Sequence, residues 1–188
     1  MKGAAGVIAA VVALLAGVLV LVFVQFQDGG DRRGVRLGMR KAEAACTEEA
    51  PRCLPKLTMI DTAGRAWPPE AMADKVVIVN VWATWCKPCA TEIPDLMAIQ
   101  RRYADRGVIL IGLLSDSVDD AGLEAFARRY SINYPIVRMD DELYEAFDRP
   151  DMLPTTFLYD RSGHLRFGEP GIMTEARLAG MLDDLLAE

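Results

Sequence analysis

Seven residues, Val76–Trp82, are almost all apolar, and they constrain the fold of this chain more than any other segment. Such a strand is typical of a sheet that is covered on both faces, because a strand with one face in water alternates apolar and polar residues. A second strand of this kind is predicted at Val108–Leu114, after a stretch with helical periodicity. The order strand, helix, strand therefore predicts an α/β fold with helices on both faces of the sheet.

The other elements continue this alternation. Periodicity and turn residues predict a short strand at 57–60, helices at 86–106 and 119–130, a weak strand at 134–137, and a short helix at 142–147. A hairpin of residues 155–160 and 164–167 and an amphipathic helix over 174–186 complete the chain. The hairpin after the strand–helix units indicates that the sheet is mixed.

The motif Cys86-Lys87-Pro88-Cys89 lies where the first buried strand gives way to a helix. A Cys-x-x-Cys in this position predicts a redox-active dithiol, because free N–H groups at a helix N-terminus stabilise a thiolate on the first cysteine. The second cysteine, one turn later, is placed to resolve a mixed disulfide. Lys87 adds positive charge and Pro88 fits the first helical turn without losing a hydrogen bond, so both are predicted to tune the pair. Trp85 is predicted to shelter the pair on one side and to contact substrate.

Other interpretations of this motif are weakened by the residues around it. A structural zinc site needs two more ligands, but the single histidine, His164, and the other two cysteines are remote in sequence. Haem attachment needs a histidine after the second cysteine, where Ala90 stands, and a peroxidase Thr-x-x-Cys pattern has Ala83 in place of the threonine. A purely structural disulfide and a copper-handling thiol pair stay open as alternatives. The sequence predicts no metal, and no cofactor beyond the Cys86–Cys89 disulfide.

The stretch from Val77 to Pro94 resembles the active-site strand and helix of the thioredoxin superfamily. It is most similar to the membrane-anchored TlpA/ResA-type thiol–disulfide oxidoreductases, and the resemblance covers residues 57–188. It implies a thioredoxin-like fold, with a central mixed sheet flanked by helices and a helix–strand insertion over residues 116–147. The segment around Leu153-Pro154 resembles the family's cis-proline loop. By that resemblance Pro154 faces the cysteine pair, and the backbone of Leu153 pairs with a substrate strand.

Glu92 falls where this family carries an acid near the active site. It follows Cys89 by three residues and so shares a helix face with it, where it is placed to exchange a proton with that thiol. The alternative is a carboxylate that the helix dipole favours early in the helix. Asn80 stands where plain thioredoxin has a buried acid, which places more weight on Glu92.

One further segment predicts a membrane anchor. Hydrophobic residues make up 52% of the 188 residues, and the excess comes from the apolar run Ala4–Val24. A helix of this length spans roughly 30 Å, the thickness of a bilayer's hydrocarbon core, and no small-x-small cleavage site follows closely. We expect an uncleaved signal anchor, a single transmembrane helix, over residues 1–27, a linker over 28–56, and a folded domain over 57–188.

Charge bears on partners and on membrane orientation. From residue 42 onward the chain has 15 basic and 25 acidic side chains, so no nucleic acid partner is predicted. Five basic residues just after the apolar run favour a cytoplasmic domain by the positive-inside rule. The four cysteines in paired spacing favour an oxidising compartment. We expect the domain on the extracytoplasmic, periplasmic side of the cytoplasmic membrane, with the apolar run in the lipid bilayer.

Cys46 and Cys53 enclose a six-residue segment of the linker. In an oxidising compartment they are predicted to form a local structural disulfide, which would shape the linker more than hold the core. The alternative is a second redox pair, for which the sequence shows no helix start and no activating neighbour. His164, beside the turn of the predicted hairpin, is predicted to be a surface residue.

The resemblance implies a reductant of disulfides in extracytoplasmic proteins, often in cytochrome c maturation or oxidase assembly. Such an enzyme needs protein substrates and a membrane electron donor that returns the pair to its dithiol form. A net oxidant of exported thiols uses the same residues, and only the reduction potential separates the two.

Overall fold

The computed structural model describes Cys46 and residues 53–188. The predicted anchor and most of the predicted linker lie outside these residues. Within the described part of the chain, none of the helices combines the length and the apolar character needed to cross a bilayer.

Seven strands and five α-helices follow one another in the described part of the chain. In chain order they are β1 (Met59–Ile60), β2 (Ala66–Trp67), α1 (Pro69–Met72), β3 (Val76–Trp82), α2 (Lys87–Tyr103), β4 (Val108–Leu114), α3 (Asp120–Tyr130), β5 (Ile136–Arg138), α4 (Asp141–Ala146), β6 (Thr155–Tyr159), β7 (Leu165–Pro170) and α5 (Glu175–Ala187).

The central sheet has five strands in the order β5-β4-β3-β6-β7. The strands β3, β4 and β5 are parallel to one another, whereas β6 pairs antiparallel with β3 and β7 antiparallel with β6. The two strands predicted as buried, β3 and β4, pair along their whole length, from Val76 with Val108 to Trp82 with Leu114. The prediction of a mixed sheet with flanking helices is confirmed.

Alternate residues of β3 point into two separate cores, because successive side chains of a strand face opposite sides of a sheet. On one side Val76 and Ile78 pack with apolar residues of α2 and α5. On the other side the odd-numbered residues of β3, from Val77 to Val81, pack with residues of β1, β2, α1 and α4. This two-sided burial explains the continuous apolar sequence of β3.

The structure differs from the sequence prediction mainly at short elements. The strand predicted at 57–60 is reduced to β1, and it pairs with β2, which the sequence did not reveal. The Asp61 carboxylate closes the turn between them by accepting hydrogen bonds from the N–H groups of Ala63 and Arg65 and from Nε1 of Trp67. Strands of two residues carry no detectable periodicity, and this turn orders them through a side chain.

The first long helix is shorter than predicted. Helix α2 ends at Tyr103 rather than Arg106, and a 3-10 turn, Ala104–Arg106, follows it. Gly107 then takes a positive φ of 85°, which glycine adopts without a steric cost. This reversal leads the chain directly into β4.

Candidate active site

The Cys86–Cys89 pair lies at the carboxyl end of the central strand β3 and is present as a disulfide, with 5.3 Å between the Cα atoms. Cys86 caps the N-terminus of α2, and its Sγ accepts a hydrogen bond of 3.2 Å from the Cys89 N–H. Both side chains are buried, at 3% and 1% exposure. An N–H aimed at Sγ at the positive end of a helix is the arrangement that stabilises a thiolate.

Hydrogen bonds connect the loop before Cys86 to the residues that follow β4. The Asp116 carboxylate, just beyond β4, accepts hydrogen bonds of 2.7 Å from the Thr84 N–H and 2.6 Å from the Thr84 hydroxyl. The Cys86 N–H in turn donates to the Ala83 carbonyl at 3.1 Å. These hydrogen bonds position Cys86 at the carboxyl end of β3.

Glu92 is completely buried on α2, with no exposed surface. Its Oε1 accepts a hydrogen bond of 2.7 Å from Asn80 Nδ2, and its Oε2 accepts one of 2.9 Å from the Met173 N–H. The second Nδ2 proton of Asn80 goes to the Thr156 hydroxyl at 3.1 Å. Every neighbour that bonds to this carboxyl is thus a donor, from β3 and from the segment before α5.

Burial raises the pKa of Glu92 from 4.5 to about 7, although the hydrogen bonds from Met173 and Asn80 act in the opposite direction. The negative charge of Asp95 adds a smaller upward contribution. A carboxyl with a pKa near neutrality exists in both protonation states at physiological pH, as a group that takes up and returns protons must.

The predicted cis-proline loop contains a cis peptide bond between Leu153 and Pro154. The Leu153 side chain packs against the apolar cluster that includes both active-site cysteines, so the loop adjoins them. The Pro154 carbonyl accepts a hydrogen bond of 2.8 Å from the Gly171 N–H. Among the described residues, neither the N–H nor the carbonyl of Leu153 has a hydrogen-bond partner.

The remaining predicted site residues lie on the surface around the pair. Trp85 is 71% exposed, and Lys87 and Pro88 are also exposed. Trp85 therefore projects outward instead of covering the disulfide.

The structure places Cys46 and Cys53 in a second disulfide, with 5.6 Å between the Cα atoms. This disulfide lies beside the turn between β6 and β7, where Cys53 forms an isolated β-bridge with His164. His164 was predicted as a surface residue, but it is only partly exposed and contacts this disulfide region.

Sequence reasoning missed the residues that hold Glu92 and the active-site loop in place. Thr156, Met173 and Asp116 act through backbone or side-chain bonds across 32 to 81 residues of sequence. Only Asn80 carried a signal, as a polar residue inside an otherwise apolar strand.

A family model and a number of known proteins resemble this chain. The model described as the AhpC/TSA family matches residues 50–167. Thioredoxin-like protein YneN of Bacillus subtilis is 34% identical over 110 residues, which are 58% of this chain and 64% of YneN, just under two thirds. Thiol-disulfide oxidoreductase ResA of Bacillus anthracis is 30% identical over 128 residues, which are 68% of this chain and 73% of ResA.

Among solved structures, a thiol:disulfide interchange protein of the thioredoxin family from Chlorobium tepidum superposes with a TM-score of 0.67 at 26% identity. The match covers 74% of this chain and 99% of that protein.

Proposed function

We propose that this chain, which belongs to the AhpC/TSA family and is a thioredoxin-like thiol–disulfide oxidoreductase, reduces disulfides in exported proteins. One observation carries the proposal. A disulfide caps the N-terminus of α2, and a fully buried carboxyl with a pKa near 7 lies three residues farther along the same helix. This arrangement provides a nucleophile, a resolving thiol and a proton acceptor.

The reaction begins with the reduced pair. The Cys86 thiolate attacks one sulfur of a substrate disulfide, which forms a mixed disulfide and releases the other substrate sulfur as a thiolate that takes a proton. Cys89 then attacks Cys86 Sγ, which forms the 86–89 disulfide and releases the second substrate thiol. Two electrons pass from the enzyme dithiol to the substrate disulfide.

Glu92 takes the proton of Cys89 in the second step. A thiol must be deprotonated to attack, and Cys89 is 1% exposed, with little access to water as a base. Glu92 shares its helix face, and at pH 7 a substantial fraction of Glu92 is ionised. When the pair is reduced again, the same carboxylic acid returns the proton.

Three exposed apolar side chains support a protein as the substrate. They are Trp85 at 71% exposure, Met152 at 55% and Ile172 at 44%. Trp85 is adjacent in sequence to Cys86, and Met152 is adjacent to Leu153. Ile172 follows Gly171, whose N–H donates to the Pro154 carbonyl. With the unpaired backbone of Leu153, they offer an extended substrate both main-chain bonds and apolar contacts.

We further propose that the apolar run Ala4–Val24 tethers the domain to the periplasmic face of the cytoplasmic membrane. The tether brings the pair close to newly exported proteins and to a membrane electron donor that restores the dithiol. The substrate class that the resemblance favours is an apocytochrome c or the copper-site cysteines of an oxidase.

The reduction potential tests the direction of electron flow. Equilibration of the full-length chain with dithiothreitol mixtures, followed by thiol alkylation, is expected to give a value closer to thioredoxin, about −270 mV, than to DsbA, about −120 mV. A value near that of DsbA would instead support the net oxidant of exported thiols.

A reporter fusion tests the location. Alkaline phosphatase fused after Glu188 is expected to be active, because it folds only outside the cytoplasm, and a β-galactosidase fusion is the matched control. An active β-galactosidase fusion with an inactive phosphatase fusion would place the domain in the cytoplasm.

Deletion of the gene tests the substrate class. Loss of holocytochrome c or of oxidase activity, restored by the wild-type chain and not by Cys86→Ser, is the expected result. Normal levels of both would remove these proteins as substrates.

A further inference from the structure

The Cys46–Cys53 disulfide and His164 form a cluster outside the active site. One atom from each residue, Sγ of the two cysteines and a ring nitrogen of the histidine, lies within 4.8 Å of the others. Thiolate and imidazole are the ligands that copper and zinc prefer. The sequence separates His164 from the cysteines by more than a hundred residues, so the fold alone creates this grouping.

The backbone fixes two of the three residues next to each other. Cys53 and His164 are partners in an antiparallel β-bridge, and the Leu54 N–H donates to the Gly163 carbonyl at 2.8 Å. Cys46 lies against the same turn, because a Cβ added at Gly163 would be 3.9 Å from the Cys46 Cβ. The turn between β6 and β7 therefore brings the three residues together.

A hydrogen-bond chain sets the tautomer of His164. The Ser162 hydroxyl is 2.6 Å from Asp160 Oδ1 and 2.7 Å from His164 Nδ1. Asp160 Oδ1 also accepts hydrogen bonds of 2.9 Å from the Ser162 N–H and 3.0 Å from the His164 N–H, and Arg166 donates to its Oδ2 at 3.2 Å. The carboxylate accepts only, so the single hydroxyl proton of Ser162 goes to Asp160.

It follows that Ser162 accepts its second bond from Nδ1–H of His164. The proton on Nδ1 leaves the lone pair of the neutral ring on Nε2, as an imidazole ligand requires. An outer hydrogen bond of this kind, which fixes tautomer and ring orientation, is typical of histidines that bind metals.

We propose that Cys46, Cys53 and His164 form a redox-gated site for Cu(I), closed while the disulfide exists and open once the two thiols are reduced. Two thiolates on a trigonal ion need sulfur atoms roughly 4 Å apart, given metal–sulfur bonds of about 2.3 Å. Reduction breaks the bond between the two sulfur atoms and lets them move apart to this distance, and a ring nitrogen of His164 lies within 4.8 Å of both. Cu(I) suits the site better than Zn(II), because zinc takes four ligands and the described residues place three in this group.

Reduction of the Cys46–Cys53 disulfide opens the site, and electrons and protons balance in this step. A dithiol reductant gives two electrons and two protons to the Cys46–Cys53 bond and itself becomes a disulfide. Cu(I) then replaces the two thiol protons, which are released to solvent, and the imidazole binds without losing a proton. Oxidation of the pair to the disulfide by a second disulfide expels the ion.

Cu(I) titration of the full-length chain tests the site. Cys86→Ser/Cys89→Ser removes the active-site thiols, so metal bound to this variant reports on the second pair alone. In anaerobic competition with bicinchoninate, the reduced variant is expected to bind one Cu(I) per chain and the oxidised variant none. Adding His164→Ala is expected to weaken binding at least tenfold, and adding Ser162→Ala by about tenfold.

X-ray absorption of the copper-loaded variant gives a second readout that needs no further substitution, and two sulfur ligands and one nitrogen ligand are expected. The proposal is overturned by equal binding in the oxidised variant, by copper bound through sulfur alone, or by displacement of copper by equimolar Zn(II). Because the active-site cysteines are absent throughout, none of these results depends on the proposed reductase activity.

Discussion

Replacement of Glu92 by glutamine should change how the stability of this protein depends on pH. The carboxyl is fully buried, and both of its partners, Asn80 Nδ2 and the Met173 N–H, are donors. A glutamine keeps the size and removes the titration. It also turns its NH₂ group toward one of the two donors, and this lowers the free energy of unfolding by about 1–3 kcal/mol at every pH.

The pH-dependent part follows from the pKa. Glu92 titrates at 4.5 in the unfolded chain and at about 7 in the fold, so between these values the folded state binds more protons than the unfolded state. The free energy of unfolding of the wild type therefore falls as pH rises through this window and levels off above it. Between pH 5 and pH 8 the loss from this one group is about 2–3 kcal/mol.

The assay is urea unfolding of the oxidised full-length chain in detergent, at pH 5 and at pH 8, for the wild type and for Glu92→Gln. All other groups titrate alike in both proteins, so the difference between them isolates Glu92. We expect the variant to gain about 2–3 kcal/mol of unfolding free energy relative to the wild type on going from pH 5 to pH 8. Glu70→Gln, at an exposed helical carboxylate, is the control and should show no such gain. A pH-independent difference for Glu92→Gln would refute a raised pKa.

Two further substitutions test the surroundings of the site. Asn80→Ala removes one of the two donors that favour the ionised form of Glu92, so ¹³C NMR titration of that carboxyl should give a pKa above the wild-type value; an equal or lower value would contradict the role of Asn80. Gly112→Ala places a Cβ 2.8 Å from Nε1 of the fully buried Trp82 and should lower the free energy of unfolding by about 1–3 kcal/mol. Unchanged stability in urea would show that the ring has room to move.

The long buried strands were predictable because their sequence reports their environment. Strands β3 and β4 are covered on both faces, and a strand with one face in water alternates apolar and polar residues instead. The hairpin of β1 and β2 was only half predicted, since each strand has two residues. Its order comes from the Asp61 carboxylate, and hydrogen bonds of that kind leave no periodic pattern.

The cysteine pair was predictable from local sequence, because its chemistry depends on the end of a strand and the start of a helix. The environment of Glu92 was not predictable from local sequence, because its hydrogen-bond partners come from β3 and from a segment 81 residues away. Helical spacing placed Glu92 on the face of Cys89, but only the tertiary fold decides that it is buried and how far its pKa rises.

The contact of the linker cysteines with His164 was equally hidden. Sequence distance argued against any joint role, and the hairpin turn suggested a solvated side chain. The antiparallel bridge between Cys53 and His164 removes both arguments.

The central claim is that Cys86 attacks and Cys89 resolves, and trapping of mixed disulfides tests it most directly. Cells that produce Cys89→Ser are expected to accumulate the chain in covalent complexes with exported proteins, which dithiothreitol releases and mass spectrometry identifies. Cys86→Ser, with the same loss of one thiol, is expected to trap none, because Cys89 lies within the first turn of α2, whereas Cys86 caps the N-terminus of that helix. Equal trapping by both variants, or complexes with Cys86→Ser alone, would contradict the account.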